Sequence, residues 1–273
     1  MIAQYLQVLR VKKIPAKVVR VDYPIVLDLP YAKFLLEVVD DFFSEFSTEV
    51  LNEILRSFDR IDARKFDARK TAQDIINEVV AKSVKKTQLR GPEQRLKSYV
   101  DNANKAAGRA LNRQVRSFFG VDILSADPKL DKTAKLFIGQ NTALINDLPR
   151  KAASQFSQAV YNAAISGKSA KQLATELQRI KKMTKKRAMN IARDQMAKLY
   201  GQLVAERHQA NGIDDFTWTS SHDQKVRPLH RQMDGKRYSY RRPPAEGLPG
   251  EPIYCRCTAT PYLKKLWGKI KDL

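Results

Sequence analysis

Sulfur and imidazole are scarce in this 273-residue chain, which has two cysteines, Cys255 and Cys257, and three histidines. Two cysteines one residue apart close no loop of useful entropy, so a disulfide-built fold is excluded and a reducing compartment fits. No run of about 18 apolar residues occurs, and the mean hydropathy is −0.47, so no membrane-spanning helix is expected. The N-terminus lacks the apolar stretch and small-residue cleavage site of a secretory signal, which points to synthesis and assembly in a cytoplasm. HExxH, P-loop, GxSxG and Gly-rich dinucleotide motifs are all missing, and the expectation is a protein that is not an enzyme. No solenoid-type repeat or low-complexity tract is present.

Acid is the remaining deficit. Against 50 Lys and Arg there are 29 Asp and Glu, a formal net charge of +21. A pI near 10.0 makes polyanions the default partners, because each phosphate neutralised releases condensed counterion. The excess is unevenly spread: residues 1–60 carry −1, residues 61–150 carry +8, residues 151–211 carry +9 and residues 212–273 carry +5. A basic arm with Arg10, Lys12, Lys13, Lys17 and Arg20 precedes an acidic stretch over 21–60. The densest basic run is Lys181, Lys182, Lys185, Lys186 and Arg187. It reads either as a solvated face or as a set of contacts to the backbone of double-stranded DNA. Without interleaved aromatics it is no stacking platform for single strands.

Apolar residues recur at helical spacing over most of the chain. From Tyr31 to Phe58 the stripe Leu35, Val38, Val39, Phe42, Phe46, Val50, Ile54 and Phe58 is widened by Phe34, Phe43, Leu51 and Leu55, and must pack on other helices or on a partner. Thr71 with Asp74 resembles a capping box for a helix burying Ile75, Ile76, Val79, Val80 and Val84. Gly91-Pro92 breaks the chain, and a long stripe runs from Leu96 through Val100, Ala103, Ala107, Leu111 and Val115 to Phe118, stopped by Gly120. Two helices are expected over 129–148 and 150–166, separated at Pro149. Ser169 and Gln172 form a capping box for a short helix, and Thr184 opens a last long one ending at Asn211-Gly212. Beyond Gly212, Phe216–Ser220 alternates like a strand, with its partner within 253–260 and a turn at Asp234-Gly235 between them. The fold class expected is therefore mainly α, with long helices, plus a small C-terminal α+β module containing a short antiparallel sheet.

The residues able to carry chemistry crowd into the last quarter: His222, Asp223, Arg227, His230, Asp234, Cys255, Arg256 and Cys257. His222, His230, Cys255 and Cys257 are a donor set for tetrahedral zinc, since imidazole and thiolate suit that ion. The alternative is two buried small thiols and hydrogen-bonded histidines. A nuclease or toxin built on His222, Asp223, His230 and the cysteines is a third reading.

Taken together, Trp218, Asp223, Val226, Arg227, His230, Met233, Asp234 and Gly235, followed by Pro252, Cys255, Arg256 and Cys257, resemble the C-terminal signature of the phage Mu F-like head morphogenesis family. Upstream, Gly167-Lys168-Ser169, Arg187-Ala188 and Ile191-Ala192-Arg193-Asp194 fit the same resemblance; Asp194-Gln195 stands where the family usually has Thr-Glu. The resemblance covers residues 130–262. It implies a minor head protein of a tailed bacteriophage, found in the virion near the portal vertex and the capsid interior. The partners implied are the portal, other head proteins and packaged DNA during procapsid assembly, packaging or ejection. Some relatives carry a toxin or enzymatic domain after the signature, and with 16 residues following Cys257 none is expected here. The organisation expected is a basic arm over 1–30, a helical region over 31–125, the family domain over 126–262 with its α+β module from 212, and a basic tail over 263–273. In that scheme the apolar and acidic surfaces of 21–60 engage the portal or another head protein, and the basic helices face DNA. The rival is a DNA-binding protein with no capsid role.

Overall fold

A computed structural model of the chain describes residues 19–46, 50–54, 67–120, 131–166 and 168–264. Among the described residues, a 3₁₀ turn at Ile25–Leu27 is followed by five long helices: α1 (Asp28–Ser44), α2 (Asp67–Leu89), α3 (Pro92–Phe119), α4 (Asp131–Ile165) and α5 (Ala170–Ala210). Residues 50–54 are also helical. The remainder is strand β1 (Asp215–Thr219), a short helix α6 (Pro228–Met233), and strands β2 (Arg237–Ser239) and β3 (Thr258–Pro261). The chain is mainly α with a small antiparallel sheet in its C-terminal part, as the patterning predicts. The arm expected over 1–18, Leu55, Phe58 and the tail from Lys265 lie outside the described residues.

Two compact units can be distinguished, one built from Met1–Asp28, Lys97–Phe137 and Arg193–Leu273, the other from Leu29–Leu96 and Ile138–Ala192. In the second unit the wide apolar stripe of α1 is core. Tyr31, Phe34, Leu35, Val38 and Phe42 have no exposed surface, and Phe46 stacks edge-on against Phe156 of α4 with ring centroids 4.6 Å apart. Tyr31 Oη donates to Asn141 Oδ1 of α4 at 2.7 Å, so the one polar tip in that stripe is satisfied inside. The acids of α1 are also engaged within the unit. Arg90 donates to Asp41 at 2.7 Å and to Glu37 at 3.3 Å, and Lys86 lies 3.4 Å from Asp41. Lys181 and Lys185 converge on Asp40 at 2.7 and 2.8 Å. Among the described residues of 21–60, the stripe of α1 and its acids Glu37, Asp40 and Asp41 are engaged in intramolecular packing and ion pairs, while Ile25, Val26 and Leu29 are exposed.

Three helix boundaries differ from the sequence reading. α2 begins at Asp67, four residues before Thr71, so Thr71 is an interior helical position and no N-cap. Its buried face is Ile76, Val79, Ser83 and Thr87, while Ile75, Val80 and Val84 are half-buried. Thr87 turns its hydroxyl back to the Ser83 carbonyl at 2.9 Å, which lets a polar side chain occupy an inward position. α4 continues through Pro149 as one helix. Its apolar face, Ile145, Leu148, Ala152, Ala153 and Phe156, keeps its phase across the proline, and that burial outweighs one missing N–H donor. α5 likewise runs unbroken through Thr184, whose hydroxyl donates to the Ile180 carbonyl at 2.8 Å instead of capping a new helix. Leu177, Ile180, Thr184, Ala188 and Ala192 form one continuous buried line, so packing decides where local capping chemistry is ambiguous. The true start of α5 is where the capping box places it: Ser169 N–H donates to Gln172 Oε1 at 2.8 Å and Gln172 N–H to Ser169 Oγ at 3.4 Å.

In the first unit the C-terminal module is a three-stranded sheet in the order β2-β1-β3, both pairings antiparallel, with Phe216 opposite Tyr238 on one side and Pro261 on the other. Phe216 and Trp218 point into the core and are fully buried. Two contacts that no local pattern announces tie segment 19–24 to this unit: Thr258 Oγ1 of the sheet module donates to the Val21 carbonyl at 3.0 Å, and Tyr23 meets Tyr200 of α5 edge-on at 5.5 Å.

Candidate functional site

Trp218 sits on β1 and His230 and Met233 on α6, while the other residues of the C-terminal signature fall on the loops around these elements, where hydrogen bonds from the signature itself hold the backbone. Asp234 ends α6, and Gly235, at φ +75°, makes the turn into β2 that a Cβ would disfavour. Asp234 Oδ1 accepts the Ser220 N–H at 2.7 Å, and its Oδ2 accepts from His222 Nε2 at 2.6 Å. Arg20 Nη1 lies 2.5 Å from His222 Nδ1, so the imidazole is arranged with its proton on Nε2 and its lone pair toward the guanidinium. Burial pushes the Asp234 carboxyl up, but the Ser220 N–H and His222 outweigh it and hold the group below the usual carboxylate range.

Asp223 plays the corresponding part on the next turn. Its Oδ1 accepts the Lys225 N–H at 2.8 Å and its Oδ2 accepts from Ser221 at 3.2 Å and from Arg256. Burial opposes ionisation here too, and the Lys225 N–H and Arg256 overcome it, leaving the carboxyl lower than usual. Arg227 Nη2 donates to the Ile253 carbonyl at 2.6 Å, and the Cys255 N–H donates to the Pro252 carbonyl at 2.9 Å. Arg227 and the Asp223–Arg256 pair therefore fasten the loop after β1 to the end of the Pro- and Gly-rich stretch, and Asp234 holds the loop after β1 itself.

His230, Cys255 and Cys257 come together beneath these clamps. All three are buried, and their ligand atoms lie within 4.8 Å of one another. The Cys255 and Cys257 sulfurs sit 3.6 and 3.5 Å from the same atom, His230 Nδ1. On the other side of the ring, His230 Nε2 donates to Glu246 Oε2 at 3.2 Å, and Trp218 packs edge-on against the imidazole at 5.2 Å. The side-chain hydrogen bond from Cys257 pulls the Cys255 thiol down to about 6, and the same bond, with burial, pushes Cys257 up. His222, the fourth donor expected from the sequence, is half-exposed and held by Arg20 and Asp234 outside this cluster.

Arg20, Asp194 and Glu246 complete the site and were not singled out as site residues from the sequence. Asp194 Oδ1 accepts the N–H of Tyr254, a residue at φ +56°, while Lys198 Nζ donates to its Oδ2 at 2.8 Å. The signal for Asp194 was its place in the Ile191–Asp194 string; Arg20 and Glu246 had none, because 202 and 16 residues separate them from His222 and His230. Arg193 is exposed on α5 and lies close enough to Asp28 to favour its charge, although burial makes the net shift of Asp28 upward. In the basic run of α5, Lys182, Lys186 and Arg187 are exposed, Lys181 and Lys185 are paired with Asp40, and Arg187 lies 3.8 Å from Asp147.

A helical protein whose C-terminal sheet module is clamped by Asp–Arg and Asp–His pairs over a buried Cys-Cys-His cluster is the class that these observations define. Residues 154–260 match the family described as Phage Mu protein F like protein. A Haemophilus influenzae protein described as uncharacterized is 29% identical over 211 residues, which cover 76% of this chain and 47% of the relative. The chain thus spans about half the length of the curated relative it matches. No solved structure matches it. Among the described residues no helix is long and apolar enough to cross a membrane.

Proposed function

We propose that this protein is a minor head component of a tailed bacteriophage, acting in head morphogenesis as a structural adaptor that contacts the portal vertex and packaged double-stranded DNA. The observation that carries the reading is the Mu F-like match over 154–260, which coincides with α5 and the clamped C-terminal module. The roles of the signature side chains agree with it. Asp223 and Asp234, the carboxylates that a hydrolytic centre would use, accept backbone N–H groups and paired cations that hold loops in place. The proposal places the protein inside the virion, with no catalytic step of its own.

DNA contact is assigned to the exposed part of the α5 run, Lys182, Lys186 and Arg187, which could reach phosphates without breaking the Lys181 and Lys185 pairs to Asp40. Such contact is to the backbone and insensitive to sequence. The portal contact lies outside the buried stripe of α1, since removing residues 21–60 would take away core. The test is co-expression with the portal and scaffold of the same phage, followed by sedimentation of proheads. Recovery of the protein at a few copies per prohead is the result expected, and quantitative exclusion from proheads refutes the head assignment. For DNA, Lys182→Ala/Lys186→Ala is expected to reduce the slope of log K against log salt by about 2. An unchanged slope removes these lysines from the interface.

A further inference from the structure

We propose that His230, Cys255 and Cys257 bind one zinc ion, with Nδ1 and the two sulfurs as ligands and Glu246 as the carboxylate that orients the histidine. This goes beyond the head-protein reading and does not depend on it. The argument is geometric. With zinc about 2.3 Å from sulfur and about 2.0–2.1 Å from nitrogen, a tetrahedral centre sets each S···N edge at about 3.5 Å. The two edges found are 3.6 and 3.5 Å.

Hydrogen bonding alone accounts poorly for that arrangement. A neutral imidazole with its proton on Nε2 offers one in-plane lone pair at Nδ1, enough for a single S–H donor. Two sulfurs nevertheless converge on that one atom, which is what a cation between the three donors requires. The far side of the ring completes the pattern: Nε2–H is taken by the Glu246 carboxylate at 3.2 Å, the contact that fixes the tautomer and ring orientation of a metal-bound histidine. Two thiolates and an imidazole are soft to borderline donors, suited to zinc and unsuited to magnesium or calcium, which take oxygen.

The three ligands come from α6 and from the loop entering β3, and the stretch between them contains only three residues of strand. A metal ion would fasten α6 to the start of β3 across this stretch, a structural role. Among the described residues no fourth His, Cys, Asp or Glu joins the cluster, so the remaining position falls to a non-protein ligand such as water. His222 is excluded from the ligand set because its two ring nitrogens are turned to Arg20 and Asp234.

The test uses the full chain, purified without chelator or affinity metal, with metal content measured by mass spectrometry. About one zinc per chain, lost in Cys255→Ser/Cys257→Ser, is the expected result. Replacement by Co²⁺ in the native protein should give the sulfur-to-cobalt charge-transfer band and intense visible bands of a tetrahedral thiolate site, a readout that needs no variant to fold. Glu246→Gln, which leaves all three ligands intact, should weaken zinc 10- to 100-fold. Chelation should lower the melting temperature by about 5 °C or more. A folded native chain with no metal and no cobalt spectrum overturns the site, as does zinc retained by the double cysteine variant or copper recovered in place of zinc. Prohead association is measured separately, so failure here leaves the head assignment standing.

Discussion

Acidification should destabilise the C-terminal unit through one histidine. His208, near the end of α5, is 1% exposed, and its Nδ1 lies 2.6 Å from Tyr240 Oη on the sheet side. Burial, helped by the neighbouring Arg207 charge, lowers its pKa to about 3. In the unfolded chain the same group titrates near its ordinary 6.5, so below that value the unfolded state binds a proton that the folded state refuses. The stability it preserves is therefore complete above pH 6.5 and is lost as the pH falls from 6.5 toward 3. At about 1.4 kcal/mol per pH unit, the loss at pH 5 is about 2 kcal/mol. Carboxylates held low, such as Asp223 and Asp234, add to this only nearer pH 4, and Asp28, whose carboxyl is raised, acts in the opposite sense. The assay is urea unfolding at pH 7.5, 6.5, 5.5 and 5.0, followed by tryptophan emission, for the native chain and for His208→Gln, which keeps a polar partner for Tyr240. The His230 cluster is common to both proteins and cancels in the difference. The native chain should lose about 2 kcal/mol more than the variant between pH 7.5 and 5.0. Parallel profiles would falsify the idea that His208 stays neutral in the fold.

Glycine substitutions give a paired test of packing. Gly201→Ala on α5 would place a Cβ against the Pro249 carbonyl, so despite the better helix propensity of alanine it should cost about 1–3 kcal/mol in thermal unfolding. Gly139→Ala on α4, where nothing lies within 4 Å, should instead stabilise by about 1 kcal/mol. Asp234→Ala leaves the buried Ser220 N–H without its acceptor and should cost about 1–3 kcal/mol, measured by the same melts; no change would mean that solvent replaces the carboxylate there. Arg90→Ala should destabilise the unit that contains α1 and weaken further with Asp41→Ala by less than the sum of the two changes, because the pair is one interaction in a double-mutant cycle.

Local sequence determined the long helices and the central strand β1, but neither the short helix α6 nor strand β2. A 3.6-residue period marks every long helix, Ser169 and Gln172 mark the start of α5, and Gly120, Gly212 and Gly235 mark stops and turns whose positive φ only a residue without Cβ takes easily. The candidacy of His230, Cys255 and Cys257 was also legible, because cysteine and histidine are rare in this chain and crowd near its end, although His222 falls outside the cluster they form. Tertiary structure decided what local chemistry leaves degenerate. Pro149 and Thr184 carry the same local signals whether a helix ends or continues, and a continuous buried face on either side resolved both toward continuation. The phase of α2 shifted to bury Ser83 and Thr87 for the same reason, since a helix face is chosen by what it packs against. Arg20, Asp194 and Glu246 reach their partners across 202, 60 and 16 residues. Such pairs exist only once the chain has closed those loops, so no window of sequence contains both halves of the interaction. The same closure separated His222 from the Cys-Cys-His cluster and set Asp40 of α1 against Lys181 and Lys185, so part of the basic run is held in an internal ion pair.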